Sequence, residues 1–395
     1  RIKIGCDSIM KCLSTKATSI KPSGIRKFFD LASTMEGVIS LGVGEPDFAT
    51  PWHICENAIH SMSTGHTHYT ANRGLIELRK EICKFHKEHY NQVFDPETEV
   101  IVTIGGSEAI DLCMRALLNP GDEVIVLDPN YVAYAPSVIL SDGVVVPLQL
   151  KEENDFKILP EDLKKVITPK TKAMIINYPS NPTGGVMTKE DYAKIVDVIK
   201  ESGIYVISDE IYAELSFDQP FASLAQFDEI KSQIIVVNGF SKAFAMTGWR
   251  LGYCMANKEL SSVMNKIHQY VIMSAPVMSQ YAALEALQNG YDDVLMMKDD
   301  YLKRRNFLVN RLNRMGLKTN MPHGTFYVFC NIQSTGLDSE TFCERLLQQQ
   351  KVACVPGNAF GDSGEGYIRI SYAYSIDHIK EAMIRLEQFL KDLEK

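Results

Sequence analysis

The chain has 395 residues, 45% of them hydrophobic, enough for a sizeable core and, since single cores seldom grow past ~250–300 residues, for two domains. The formal net charge is -8 and no long basic run or basic–aromatic stripe occurs, which speaks against a nucleic-acid partner. No apolar run approaches the ~18 residues of a membrane span, and the nine cysteines are scattered and never spaced Cys-x-x-Cys, which argues against a disulfide framework or a structural zinc site.

In chain order, the runs Val100–Thr103, Glu123–Leu127, Val144–Pro147, Ala173–Asn177, Ile204–Ser208 and Ile234–Val237 read as strands. They are short and nearly all apolar, the pattern of strands buried on both faces. Helical periodicity covers Ser107–Leu118 and Thr188–Glu201 between them, and Thr188 with Asp191 three residues on has the form of a capping box. The alternation predicts an α/β fold with a mainly parallel sheet flanked by helices. Beyond it, Tyr281–Gln288 reads as a helix stopped by a glycine cap at Asn289-Gly290. A long polar helix over Asp292–Met315 follows, then strands at Phe326–Cys330 and Tyr367–Ser371. The last helix, after Ser375, has Ile379, Ala382, Met383, Leu386, Phe389, Leu390 and Leu393 on one stripe. These elements predict a smaller α+β domain, residues 1–46 together with 291–395, beside a large domain over 47–290.

The nine histidines are as diffuse as the cysteines; His66 and His68 stand two apart beside Tyr69 without reading as a metal site. Scattered thiols suit a reducing compartment, and the first residues lack the apolar stretch of a secretory signal, so a cytoplasmic location is expected.

Chemistry concentrates in Asn238-Gly-Phe-Ser-Lys-Ala-Phe-Ala-Met-Thr-Gly-Trp-Arg-Leu-Gly252. Lys242 sits among small residues, as a lysine must if a planar group is to approach it and form a Schiff base. The hydroxyl of Ser241 and the forked guanidinium of Arg250 suit a phosphate. Other motifs follow strand ends. Gly105-Gly-Ser-Glu-Ala109 opens a helix, where the N–H groups of Ser107 and Glu108 can meet an anion, although a lone Gly-Gly-Ser is also a common helix start. Asn181 lies in Asn-Pro-Thr-Gly184 and Asp209 in Ser-Asp-Glu-Ile-Tyr212, at the carboxyl ends of apolar runs where open α/β sheets bind ligands. An arginine inside the apolar strand around Arg369 calls for a buried anionic partner.

The Lys242 stretch closely resembles the cofactor-lysine signature of class I/II aminotransferases, enzymes of fold type I dependent on pyridoxal 5'-phosphate. The resemblance extends from about Ser23 to the last helix. It implies that Lys242 carries the cofactor and moves the proton. It further implies that Asp209 keeps the ring nitrogen protonated, that Tyr212 and Asn181 hydrogen-bond the ring oxygen, and that Tyr131 stacks on the ring, although an isolated Tyr is more often core packing. The phosphate falls to Ser107, Glu108, Ser241 and Arg250. Tyr69, in His68-Tyr-Thr-Ala-Asn-Arg-Gly74, matches a tyrosine lent by a neighbouring subunit, which implies a homodimer. Leu41-Gly-Val-Gly-Glu-Pro-Asp47 matches the segment that closes over substrate, with Gly44 offering a backbone contact. Arg369 matches the clamp on the substrate carboxylate.

Within the family the chain is most similar to bacterial enzymes for aspartate, aromatic or diaminopimelate-type amino acids. Some aspartate-preferring relatives carry lysine after the Gly-Gly where this chain has Ser107, a departure that weighs against aspartate. The expected reaction passes an amino group from an L-amino acid to a 2-oxo acid, 2-oxoglutarate, by a ping-pong mechanism. A β-eliminating carbon–sulfur lyase on the same scaffold is the alternative. A regulator with an aminotransferase-like domain is a third reading, disfavoured because no DNA-binding module fits before Ser23.

Overall fold

The computed structural model describes residues 11–20 and 35–393. The start of the resemblance, from Ser23 to residue 34, lies outside the described residues, as do residues 1–10.

The apolar runs form a seven-stranded sheet: β2 (Val100–Thr103), β3 (Glu123–Asp128), β4 (Val144–Gln149), β5 (Thr171–Asn177), β6 (Tyr205–Asp209), β7 (Ile234–Gly239) and β8 (Gly252–Met255), after a short β1 (Ile39–Ser40) that pairs elsewhere. Their order is β2-β8-β7-β6-β5-β3-β4, and every strand runs parallel to the rest except β8, which is antiparallel to both neighbours. Every residue of β2, β7 and β8 is buried, because helices cover both faces of the sheet. On one face Leu112, Cys113 and Met114 of the helix Gly105–Leu117 pack on Ile101, Val124, Ile207 and Val237. On the other, Tyr192, Ile195 and Ile199 of the helix Lys189–Ser202 pack with Ile125, Met174 and Val206.

Three sequence expectations change in the structure. The run read as a fully buried strand at Val144 is the sheet edge, with Val144 exposed; Pro147, which cannot donate to a ladder, is tolerated there. Strand β8 was not anticipated, since it is four residues long and begins with glycine. That glycine is required: a Cβ on Gly252 would stand 2.7 Å from the backbone of Gly105 and Gly106. Gly290 does follow the helix Val277–Asn289, but its φ is -94°, so it is no left-handed cap. It is small because a Cβ would lie 2.7 Å from the Ala286 carbonyl, where the next helix, Tyr291–Arg314, starts at once. The capping box at Thr188 is present, with Thr188 Oγ1 accepting from the Asp191 N–H and the Asp191 carboxylate accepting from the Thr188 N–H, both at 3.2 Å.

The later elements β9 (Tyr327–Asn331), β11 (Val355–Pro356) and β12 (Tyr367–Ser371) form an antiparallel sheet in the order β11-β12-β9. Its core joins Phe326, Val328, Ile368 and Ile370 to the apolar stripe of the last helix, Ile376–Leu393, where Ile379, Ala382, Met383, Leu386 and Phe389 are buried. Strand β1 pairs in parallel with β10 (Val352–Ala353), and the Ser371 N–H donates to the Leu41 carbonyl at 2.7 Å. The chain after Leu41 is thereby carried from the small sheet across to the carboxyl ends of the parallel strands. Among the described residues no helix is long and apolar enough to cross a membrane.

Candidate active site

A cavity of about 540 Å³ opens at those strand ends. Asn177 and Asp209 are the last residues of β5 and β6, the Ser241–Lys242 turn follows β7, and the helix from Gly105 follows β2. Gly42–Glu45 and Arg369 close the cavity from the side of the small sheet. Of the residues singled out from sequence, Gly44, Ser107, Tyr131, Asn181, Asp209, Tyr212, Ser241, Lys242, Arg250 and Arg369 line this one space.

Asp209 is buried at its floor. One carboxylate oxygen accepts from the Tyr134 hydroxyl at 2.7 Å and the other from the Ile211 N–H at 3.2 Å. Burial pushes its carboxyl up to about 6, against the opposing pull of Tyr134, the Ile211 N–H and the Lys242 charge. At neutral pH it is therefore an ionised acceptor, with no contacting cation among the described residues. Lys242 Nζ donates to the Gly44 carbonyl at 2.7 Å. Burial, then the nearby Arg369 and Arg250, lower its ammonium to about 8, although Glu45 and Asp209 act the other way.

Arg369 is 4% exposed and sandwiched against two rings, its guanidinium carbon 4.2 Å from the Tyr327 centroid and 4.7 Å from that of Phe360. It donates to Asn181 Oδ1 at 2.8 Å and to the Gly42 carbonyl at 2.6 Å, while its Nε is buried with no hydrogen-bond partner among the described residues. Asn181 in turn donates its backbone N–H to Asn177 Oδ1 at 2.9 Å. With Oδ1 taken by the arginine, its amide Nδ2 is left as a donor. The Tyr212 hydroxyl lies 3.0 Å from that of Tyr327, and burial keeps the phenol neutral.

Opposite, Arg250 has a left-handed φ of 50° and its Nη1 donates to the Thr247 carbonyl at 3.2 Å. A Cβ on Gly105 would meet Arg250 Nη2 at 2.7 Å, so the glycine lets the guanidinium lie across the start of the helix. In a helix beginning at Gly105, the N–H groups of Gly105, Gly106 and Ser107 lack intrahelical acceptors and face any anion there.

Two singled-out residues are not brought to the cavity. The N–H of Glu108 is, by helix geometry, the first to bond back, to Ile104; its carboxylate turns away to the Ile104 N–H and to His268. Tyr69 is 84% exposed and does not line its own chain's cavity. Conversely, Tyr134, Asn177 and Tyr327 were given no role in the site. Only the spacing of Tyr134, three residues after Tyr131, could have drawn attention to it.

The family model for aminotransferase class I and II matches residues 36–386. The chain belongs to the class I and II aminotransferases. The protein YugH of Bacillus subtilis (strain 168) is 51% identical over 378 residues, 96% of this chain and 98% of that one. The aspartate aminotransferase of Pyrococcus abyssi is 45% identical over 383 residues, 96% of this chain and 98% of its own. The crystal structure of an aromatic aminotransferase from Pyrococcus horikoshii OT3 superposes with a TM-score of 0.89 at 43% identity, over 94% of this chain and 99% of that one. This aminotransferase thus has the fold type I architecture, and its family is one to which pyridoxal phosphate is inherent.

The residues present fit that cofactor. A buried carboxylate without a contacting cation suits a protonated ring nitrogen. Gly105 and Gly252 keep clear a helix start that any Cβ would crowd. The unpartnered Nε of Arg369 suits a substrate carboxylate.

Proposed function

We propose that this aminotransferase binds pyridoxal 5'-phosphate in the 540 Å³ cavity and transfers an amino group from an L-amino acid to 2-oxoglutarate in two alternating half-reactions. The observation that carries the reading is one cavity walled by three groups of opposed character. They are an ionised buried carboxylate, a lysine lowered to about 8 and a buried arginine with a free donor. When bound, the cofactor supplies an electron sink for the charge that develops at the substrate Cα.

The chain's own residues do the rest. Asp209 Oδ atoms accept the ring N–H and hold it protonated, since an anion within ~4–6 Å favours the charged form. Asn181 Nδ2 and the Tyr212 hydroxyl donate to the ring oxygen, and Tyr131 covers the ring face. The N–H groups of Gly106 and Ser107, the Ser241 hydroxyl and Arg250 hold the phosphate. Arg369 takes the substrate carboxylate on Nε and Nη, while Gly44 lines the same end. Lys242 would hold the cofactor and, once the amino donor frees it, its Nζ would take the proton from the substrate Cα and pass it on to the cofactor rather than back to Cα. An ammonium lowered to about 8 leaves a useful fraction of free amine near neutral pH.

The donor belongs to the aspartate, aromatic or diaminopimelate types. A homodimer is part of the proposal: Tyr69, remote from its own cavity, would complete the phosphate site of a second copy. The large domain would span 47–290 and the small one 1–46 with 291–395, closing through Gly42–Glu45. The buried thiols of Cys113, Cys254, Cys330, Cys343 and Cys354 fit a cytoplasmic protein.

Asp209→Asn tests the assignment through two opposed readouts. The folded carboxyl titrates at about 6 rather than 3.8, so ionising it costs stability, and the cofactor-free protein loses stability as pH rises through that window. Removing the charge raises the melting temperature of the cofactor-free protein above pH ~6, by about 1–3 kcal/mol in stability. The same change lowers transamination by about 10²–10³-fold. A variant that is less stable and fully active overturns the role given to Asp209.

A further inference from the structure

Outside the proposed chemistry, the partly buried Glu108 and the buried His268 form a pair at the helix start that faces the cavity. His268 is fully buried, and its Nδ1 lies 2.6 Å from Glu108 Oε1. Its other nitrogen, Nε2, is 2.9 Å from the carbonyl of Asn72. A carbonyl only accepts, so Nε2 carries a proton and donates. The short contact to Glu108 then needs one further proton, held by Nδ1 or by the carboxylate. Either way the pair is neutral. The second Glu108 oxygen accepts from the Ile104 N–H, so the carboxylate is locked within the first turn whose N–H groups line the cavity.

A carboxylate in that position presents a difficulty. An acid near a helix N-terminus is ordinarily favourable, but here it competes with a second anion for the same positive end. A bare Glu108 would repel a phosphate held by Gly106 and Ser107. The other charged groups around the pair do not remove the problem. Arg73 is engaged by Ser261 Oγ at 2.7 Å on the helix that carries His268, Arg250 lies across Gly105, and the Cys254 thiol is kept neutral by burial.

We infer that His268 is a positioning residue that cancels the charge of Glu108, so that the helix start can hold a phosphate. The inference rests on the cofactor-site reading above. It separates two features of Glu108: its hydrogen bond to Ile104, which shapes the turn, and its charge, which His268 neutralises.

The test is the dissociation constant of the cofactor-free dimer or monomer, as it exists in solution, for pyridoxal 5'-phosphate and for pyridoxal, which lacks the phosphate. Both are followed by fluorescence across pH. For His268→Asn the ratio of variant to wild-type constants is expected to be about ten for the phosphate form at pH 8 and near one for pyridoxal. Adding Glu108→Gln to His268→Asn should restore phosphate affinity to within about threefold of wild type. Equal losses for both ligands, or no recovery in the double variant, would mean that His268 only supports the fold, and would overturn the inference. If the wild-type protein binds neither ligand, the cofactor-site reading itself fails. Should His268→Asn not fold, His268→Gln is measured instead, with the same expected ratios.

Discussion

Lys242→Ala is expected to lower steady-state transamination by about 10⁴-fold or more, because one side chain is asked to hold the cofactor and to move the proton at Cα. The protein should survive the change. Among the described residues the Lys242 side chain makes a single hydrogen bond, to the Gly44 carbonyl. Its ammonium is already destabilised by burial, which lowers it to about 8, so deleting it removes a cost rather than a support. The melting temperature of the cofactor-free variant should therefore stay within a few degrees of wild type. Turnover with a saturating amino donor and 2-oxo acid checks the first expectation and thermal unfolding the second. Near-normal turnover would remove Lys242 from the reaction.

Arg369→Ala is expected to raise KM for every amino donor alike, with kcat/KM down by about 10²–10³-fold, the scale of losing one partner of a buried hydrogen-bonded ion pair. The geometry explains why the loss is general. The guanidinium is fixed by the Tyr327 and Phe360 rings and by bonds to Asn181 and Gly42. Nη1 and Nη2 each spend one N–H on these bonds and keep a second, so the fixed guanidinium meets in one orientation the carboxylate that all α-amino acids share. Lysine cannot reproduce that planar fork, and Arg369→Lys should recover little. If one donor alone suffered, Arg369 would be reading a side chain instead.

Much of the fold was legible because buried parallel strands are written as unbroken Val and Ile runs. Val100–Val102 and Ile234–Val237 carry no polar residue before Thr103 and Asn238 at the strand ends. Strand β8 escaped because its first residue is chosen for clearance from Gly105 and Gly106, not for strand propensity. The exposed edge at Val144 was misread, since an apolar run does not say how many faces are covered. The cavity residues were legible where a motif ties residue type to a strand end, as at Asp209 and Asn181. Tyr134 was not, because its value lies in a 2.7 Å contact with a residue 75 positions away. Glu108 was singled out for an N–H that the helix itself consumes, while the part it plays depends on His268, 160 residues on.

The most direct measurement of the central claim is a half-reaction. Cofactor-loaded enzyme is mixed with single amino acids of the aromatic, aspartate and diaminopimelate types, with no 2-oxo acid present, and the products are counted. One equivalent of 2-oxo acid per subunit is expected, with no ammonia and an arrest lifted only by adding 2-oxoglutarate. Continuous release of 2-oxo acid together with ammonia, without any acceptor, would contradict it and make the enzyme a lyase.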